Sequence, residues 1–172
     1  CATTTAHGPS GDRLFEYPSK REQRLANEPT SVLATIATDF NELSGSDRLT
    51  FLLEFANELP DLPQRYADHP ELLERVEECQ SPVFIFVELD ENKSVSVFAT
   101  APREAPTTRG FASILVQGLS GLTATEVLGV ADDFPSTLGL NELISPLRVR
   151  GMTGMLWRIK RQVQARVAET NA

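Results

Sequence analysis

The sequence predicts an α+β domain in which a small antiparallel sheet of about three strands packs against several α-helices. Two observations favour this class. Apolar residues recur at helical spacing over most of the chain, whereas only residues 83–99 show the β-branched and alternating patterns of strands. The chain has 172 residues, 41% of them hydrophobic, which is enough for one domain with a buried core.

The first 30 residues are predicted to form a flexible or loosely docked tail. They are rich in Thr, Ser, Gly, Pro and charged residues, and their few large apolar side chains keep no period. Helical spacing begins at residue 31 and continues almost to the end of the chain. We therefore expect a tail over residues 1–30 and a single domain over residues 31–168.

Two helices are expected at the start of this domain. Apolar residues keep helical spacing over residues 31–41, and Ser-Gly-Ser-Asp at residues 44–47 then breaks and caps the chain. The second helix follows and ends before Pro60. Loop signals occupy residues 62–68, and Pro70 is suited to the first position of a short helix.

An antiparallel hairpin is expected next, followed by a third main helix. Residues 83–87 are β-branched and aromatic, as in a buried strand, and apolar residues alternate with others over residues 94–99. Asp-Glu-Asn-Lys at residues 90–93 turns the chain between these strands. Helical spacing then returns over residues 107–119, with Gly121 as the stop.

Capping patterns mark the last two helices. Thr123 to Glu126 have the spacing of a capping box, which opens a short helix. Ser145 and Pro146 combine an N-cap with a proline at the first turn. The helix that follows is predicted to be the longest of the protein. Its continuous apolar stripe is assigned to the core: Val149, Met152, Leu156, Ile159, Val163 and Val167.

Composition argues against several classes of protein. Asp and Glu outnumber Lys and Arg by 24 to 16, so the net charge of −8 disfavours general nucleic-acid binding. The longest apolar run, residues 83–87, is far shorter than the ~20 residues of a membrane span. Two cysteines, Cys1 and Cys79, cannot form a disulfide framework, which fits a reducing cytoplasm.

Charge is unevenly distributed along the chain. Residues 54–78 carry eight acids against two bases, whereas residues 148–166 carry six bases and no acid. One interpretation is an acidic and a basic solvated face, and the carboxylates of residues 71–78 are read as such a solvated run. The alternative is a polarised surface that steers a protein partner.

Cys79 is the strongest candidate for chemistry. The two histidines, His7 and His69, lie far apart in sequence, and no glycine-rich phosphate loop occurs, so metal and nucleotide sites are not expected. Cys79 follows Glu77-Glu78 and precedes Gln80-Ser81, in a polar loop at the entrance of the first strand. Such a thiol is a candidate nucleophile or redox group, and the alternative is a small buried hydrophobe.

These residues resemble a known family. Cys79-Gln80-Ser81 before an apolar strand is similar to the Gly-Cys-Gln-Ser signature of the SufE family, the sulfur acceptors of cysteine desulfurases. Further blocks match in the same order, at residues 53–62, 109–110, 122–128 and 138–152. The resemblance covers about residues 31–165 and implies a SufE/IscU-like fold.

Three departures from the family pattern stand out. Glu78 occupies the position where the family usually has Gly, and Leu147 replaces the usual Ser. Residues 101–109 differ from the family's Gly-Asp-Ser-Asp segment, which leaves Glu104 opposite its second Asp.

The resemblance implies a sulfur acceptor and activator of a cysteine desulfurase. Cys79 would take persulfide sulfur and pass it to an iron–sulfur scaffold complex, as a carrier rather than a stand-alone enzyme. No cofactor is expected on this chain, since the pyridoxal phosphate belongs to the desulfurase. Arg148 matches the family's Arg after Ser-Pro and is carried over as a second site residue. Gln80, Ser81 and Glu104 could support the loop.

An alternative of a different class remains open. The same fold could serve as a non-catalytic interaction module that docks to a desulfurase or another partner without accepting sulfur.

Electrostatics yield two more expectations for the site. Glu77 and Glu78 disfavour a neighbouring thiolate, so the pKa of Cys79 is expected at or above about 8.5, and burial would raise it further. Arg148, in the first turn of a helix, opposes the helix dipole, so we expect it to face a carboxylate or the thiolate.

Overall fold

The computed structural model describes residues 32–171, and the structural statements below concern these residues. The tail predicted for residues 1–30 lies outside them, so it stays a prediction, as do the domain limits 31 and 168. The elements in chain order are α1 (Val32–Glu42), α2 (Gly45–Glu58), α3 (Gln64–Ala67), a 3-10 turn (Pro70–Leu72), β1 (Glu74–Arg75), β2 (Phe84–Leu89), β3 (Val95–Thr100), α4 (Pro106–Leu119), α5 (Ala124–Leu128), a 3-10 turn (Phe134–Leu138) and α6 (Pro146–Thr170).

The sheet has three antiparallel strands in the order β1-β2-β3. The predicted hairpin is confirmed, with Phe84 opposite Thr100 and Leu89 opposite Val95. The third strand, β1, has only two residues and pairs Glu74 with Ile85. Alternate residues of β2 and β3 are buried, so one face of the sheet lies against the core. The α+β fold class is therefore confirmed.

Helices α4 and α6 cover the buried face of the sheet. Helix α4 contacts β3 and α6 contacts β2, while α1 and α2 pack on the outer side of α4. Gly110 permits the close crossing of α4 with α2, because a Cβ at this position would overlap the carbonyl oxygen of Leu52. Helix α4 is consequently the centre of the molecule, with Phe111, Ile114 and Leu115 almost fully buried.

Most helix limits agree with the sequence patterns. Thr123 and Glu126 form the predicted capping box, and the Ser145 hydroxyl accepts a hydrogen bond from the Arg148 amide at the start of α6. Residues 62–68, interpreted from their loop signals, also contain the single turn α3. Its buried Tyr66 packs against Phe86 and Phe98. So short a helix is not stable by itself, and its contacts with other parts of the fold stabilise it.

The acidic and basic segments do not form two separate faces. Arg158 of α6 pairs with Glu74 and Glu78, and Arg161 also pairs with Glu74. The side chains of Glu74 and Glu78 are only 25% and 32% exposed. The interpretation of residues 71–78 as a solvated run is therefore wrong for these two, because β1 and its following loop lie against α6.

Among residues 32–171, no helix is both long and apolar enough to cross a membrane.

Candidate functional site

Cys79 lies in the connection between β1 and β2. The Val76 amide donates to the Val83 carbonyl at 2.9 Å and closes the base of this connection. The Cys79 amide donates to the Val76 carbonyl at 3.1 Å, which forms a tight turn just before the thiol. The sheet thus holds both ends of the segment that carries Cys79, hereafter the Cys79 loop (residues 77–82).

The Cys79 loop packs against α6 through two glycines. The thiol is free, and Cys79 is only 8% exposed. A Cβ at Gly151 would lie 3.0 Å from the Cys79 sulfur, and a Cβ at Gly154 would lie 2.9 Å from Glu78 Cβ. Gly151 lies in one of the family blocks of the sequence, but a packing role was predicted for neither glycine. Their presence inside a helical stripe is the signal that could have indicated close packing there.

A cavity of about 230 Å³ opens beside Cys79. The Cys79 loop, the start of α4 and the start of α6 all contribute to its walls. The structure thus brings every predicted site residue to one cavity: Cys79, Gln80, Ser81, Glu104 and Arg148. Thr107, Leu147 and Met152 belong to the same lining and were not predicted.

Arg148 joins the two helix starts at this cavity. Its guanidinium donates to the Thr107 hydroxyl at 3.0 Å. From the sequence we expected Arg148 to face a carboxylate or the thiolate; the contact seen among the described residues is this hydrogen bond to a hydroxyl. Arg148 nevertheless lines the same cavity as Cys79.

Burial raises the pKa of Cys79 from its ordinary value of 9.0 to about 11. This value includes two smaller effects: the charge of Glu78 also raises the pKa, whereas the charge of Arg158 lowers it. The predicted direction is confirmed, but burial is a larger cause than the charge of Glu78, and Glu77 is not among the causes. In the free protein the thiol is therefore almost entirely protonated at neutral pH.

Glu78 forms a bidentate ion pair with Arg158. The two contacts are Nε to Oε2 at 2.9 Å and Nη2 to Oε1 at 3.1 Å. Hydrogen bonding to Arg158 lowers the pKa of Glu78. Among the described non-glycine residues, only Lys93 has a positive φ, so Glu78 occupies its position without the backbone conformation that favours glycine.

Residues 32–171 contain no group of three or more His, Cys, Asp or Glu side chains that could hold a metal ion.

Fold and site together define an α+β protein with a buried free cysteine beside a cavity that both an arginine and a glutamate line. Comparison with known sequences identifies the family. The SufE family model, described as an Fe-S metabolism associated domain, matches residues 34–163. The chain therefore belongs to the SufE family, and the resemblance found in the sequence is confirmed.

Individual relatives agree with this assignment. An uncharacterized SufE-like protein of Mycobacterium tuberculosis is 52% identical over 132 residues, which cover 77% of this chain and 91% of the relative. The cysteine desulfuration protein SufE of Plasmodium falciparum is 30% identical over 84 residues, 48% of this chain and 34% of the relative. The solution structure of a hypothetical protein from Thermus thermophilus superposes with a TM-score of 0.70 at 34% identity, covering 79% of this chain and 96% of that one.

Proposed function

We propose that this protein accepts sulfur from the persulfide of a cysteine desulfurase and passes it on for iron–sulfur cluster assembly. One observation carries the proposal: a free Cys79 thiol borders a cavity that also collects Arg148, Gln80 and Ser81. Membership of a family associated with Fe-S metabolism supports the same conclusion. So does the name of the Plasmodium relative, a cysteine desulfuration protein.

The chemical step is thiol–disulfide exchange. The Cys79 thiolate attacks the outer sulfur of the desulfurase persulfide, and a new S–S bond forms. The bond between that sulfur and the donor cysteine breaks, and the donor leaves as a thiolate. Cys79 then carries the persulfide, with no net oxidation or reduction and no additional electron donor. The pyridoxal phosphate that releases sulfur from free cysteine belongs to the desulfurase, and we propose no cofactor for this chain.

The cavity contains positive charge that could stabilise a sulfur anion, although the Glu104 carboxylate also lines it. The first turns of α4 and α6 contribute to its lining, and the amino ends of helices carry partial positive charge. Arg148 adds a full charge at the same place. We assign Arg148 to stabilising the thiolate and the persulfide, and Gln80 and Ser81 to hydrogen bonding with them.

Burial of the thiol sets the order of events. With a pKa of about 11, Cys79 is a poor nucleophile in the free protein at neutral pH. A partner that draws the loop outward or supplies positive charge would activate it. By removing sulfur from the donor cysteine, the acceptor would then raise desulfurase turnover. A reducing compartment, which we propose to be the cytoplasm, keeps Cys79 a thiol between cycles.

Intact-mass measurement tests the proposal. The full chain is incubated with a cysteine desulfurase and cysteine, and we expect one added sulfur atom that reductant removes. Cys79→Ser should abolish the addition and keep the fold, whereas Cys1→Ser should leave it unchanged. Binding without added sulfur would favour the non-catalytic module and overturn the proposal. A persulfide on Cys1 would overturn the site.

A further inference from the structure

Three consecutive contacts join the Cys79 loop to one face of α6. The Cys79 sulfur lies against Gly151, the Glu78 side chain lies against Gly154, and the Glu78 carboxylate reaches Arg158. Residues spaced by three and four positions share a helix face, so these contacts form a row along α6. The loop is therefore docked over about two turns of the helix.

Arg158 makes the strongest contact of this row. Its side chain is 14% exposed, and both of its hydrogen bonds to Glu78 are 3.1 Å or shorter. Bidentate pairs of this kind are stronger than single neutral hydrogen bonds, and partial burial shields them from solvent. Glu78 is the direct neighbour of Cys79, so the position of its carboxylate fixes the backbone next to the thiol.

Arg158 is also held from a second side. Glu74 on β1 accepts a hydrogen bond from Arg158 Nη1 at 2.6 Å, and Gln162 donates to the same carboxylate at 2.8 Å. If Glu78 moves away, Arg158 keeps a counter-charge and stays oriented. Breaking a buried ion pair is usually costly because it leaves one charge without a partner. Releasing Glu78 avoids this cost, because Arg158 stays paired with Glu74.

We propose that Arg158 is a positioning residue for sulfur acceptance: its ion pair with Glu78 holds the Cys79 loop closed against α6, and release of this pair turns the thiol outward. The inference rests on the proposed function for its biological role. Its physical content, control of the access to Cys79, concerns the free protein alone.

The direction in which Arg158→Gln changes the alkylation rate of Cys79 separates a positioning role from a simple effect of charge. The charged groups around the thiol are Glu78 and Arg158 beside it, and Glu104 and Arg148 on the cavity wall. Arg158 favours the thiolate through its charge, so Arg158→Gln should slow alkylation if charge alone matters. If the ion pair holds the loop closed, the same substitution opens the loop and speeds alkylation.

We would measure iodoacetamide alkylation of Cys79 from pH 7 to 10 without any desulfurase, in a Cys1→Ser background. Arg158→Gln is expected to raise the rate at neutral pH by about tenfold, since a charged hydrogen-bonded pair is typically worth at least that factor. Glu78→Gln should do the same, and the double variant should be no faster than either single one. Arg161→Gln is the matched control, because it removes a cation that binds Glu74 but not Glu78.

Gly154→Ala tests the geometry with every charge retained. The added Cβ would meet Glu78 Cβ, Cγ and Cδ at 2.9 Å and displace this side chain. Alanine also favours the helix by about 1 kcal/mol, so faster alkylation would not reflect a weakened α6. This variant decides the question if circular dichroism shows that Arg158→Gln does not fold.

Two results would overturn the inference: slower or unchanged alkylation in folded Arg158→Gln, or unchanged alkylation in Gly154→Ala. Its failure is distinguishable from that of the proposed function. If intact mass shows sulfur acceptance but the variants alkylate at the wild-type rate, only the positioning role of Arg158 is overturned. Faster alkylation without any sulfur acceptance would keep the docked loop and remove the proposed function.

Discussion

The pKa of Cys79 depends more on the burial of its sulfur than on the charge of its sequence neighbours. Burial against Gly151 is the largest cause of its raised pKa, and Glu78 adds to it. The thiolate is the nucleophile, so a pKa of about 11 in place of 9.0 lowers the reactive fraction at neutral pH by about a hundredfold. In the proposed role, this burial would protect the thiol from oxidants until a partner binds.

A pH profile checks this account. Because the pKa is raised, alkylation of Cys79 should still increase between pH 9 and pH 10, where an ordinary thiol approaches its plateau. The measurement is labelling rate against pH in a Cys1→Ser background, with the urea-unfolded protein as the reference. If the labelling rate of the native protein levels off at the same pH as that of the unfolded protein, or at a lower pH, the burial of the thiol is contradicted.

Arg148 provides a second prediction at this scale. Arg148→Gln should reduce the rate of persulfide formation on Cys79 by about ten- to a hundredfold, because the cavity proposed to hold the sulfur anion loses its positive charge. Arg148→Lys should recover part of the rate. Thr107→Val removes only the hydroxyl that accepts from Arg148, and a small loss is expected. Equal rates for wild type and Arg148→Gln would exclude Arg148 from the site.

At the scale of elements, close helix packing places the cavity walls. Helix α4 crosses α2 at Gly110 and covers β3, and its first turn then reaches the Cys79 cavity. Helix α6 brings Arg148 to the cavity, Gly151 to the thiol and Arg158 to Glu78. A single long helix therefore supplies both the cation of the site and the surface that the Cys79 loop rests on.

Gly110→Ala tests the crossing of α2 and α4. The new Cβ would overlap the Leu52 carbonyl oxygen, so the free energy of unfolding should fall by about 1–3 kcal/mol. Gly45→Ala is the matched control, because, apart from its chain neighbours and the backbone of its own helix, no atom of the described residues lies within 4 Å of the position its Cβ would take. Urea unfolding of both variants gives the comparison. Equal losses, or none in Gly110→Ala, would show that this crossing tolerates a side chain.

The whole molecule carries a net charge of −8, part of which is neutralised within the fold. Glu74 and Glu78 pair with Arg158 and Arg161, which removes them from a surface that could attract a partner. Any steering of a desulfurase must therefore come from the remaining exposed charges, such as Glu54, Glu58 and Arg150.

Salt dependence is the test at this scale. Stimulation of desulfurase turnover by this protein should weaken as NaCl rises from about 0.05 to 0.5 M, because exposed charges are screened beyond ~10 Å at 0.1 M. Turnover of the desulfurase alone over the same range is the control. Stimulation that does not change with salt would mean that apolar contacts, rather than charge, bring the partners together.

The limits of the main elements could be read from the sequence because they follow local rules. Helical spacing, the Thr123–Glu126 capping box and the Ser145-Pro146 start depend on neighbours within one or two turns. The same holds for the hairpin of β2 and β3. The one-turn helix α3 and the two-residue strand β1 have too few residues for a period, and contacts with distant residues stabilise them.

By itself, the sequence determined the α+β class, the candidate thiol and, through ordered motifs, the SufE family. Through the family motifs it also pointed to the residues that line one cavity, because such motifs contain the residue types that occur together at a site. Only the tertiary structure decided how Cys79 is held: beside Gly151, with Glu78 on Gly154 and Arg158. Burial and ion pairs between residues about 80 positions apart arise only when β1 and α6 pack together, and no local pattern encodes that contact.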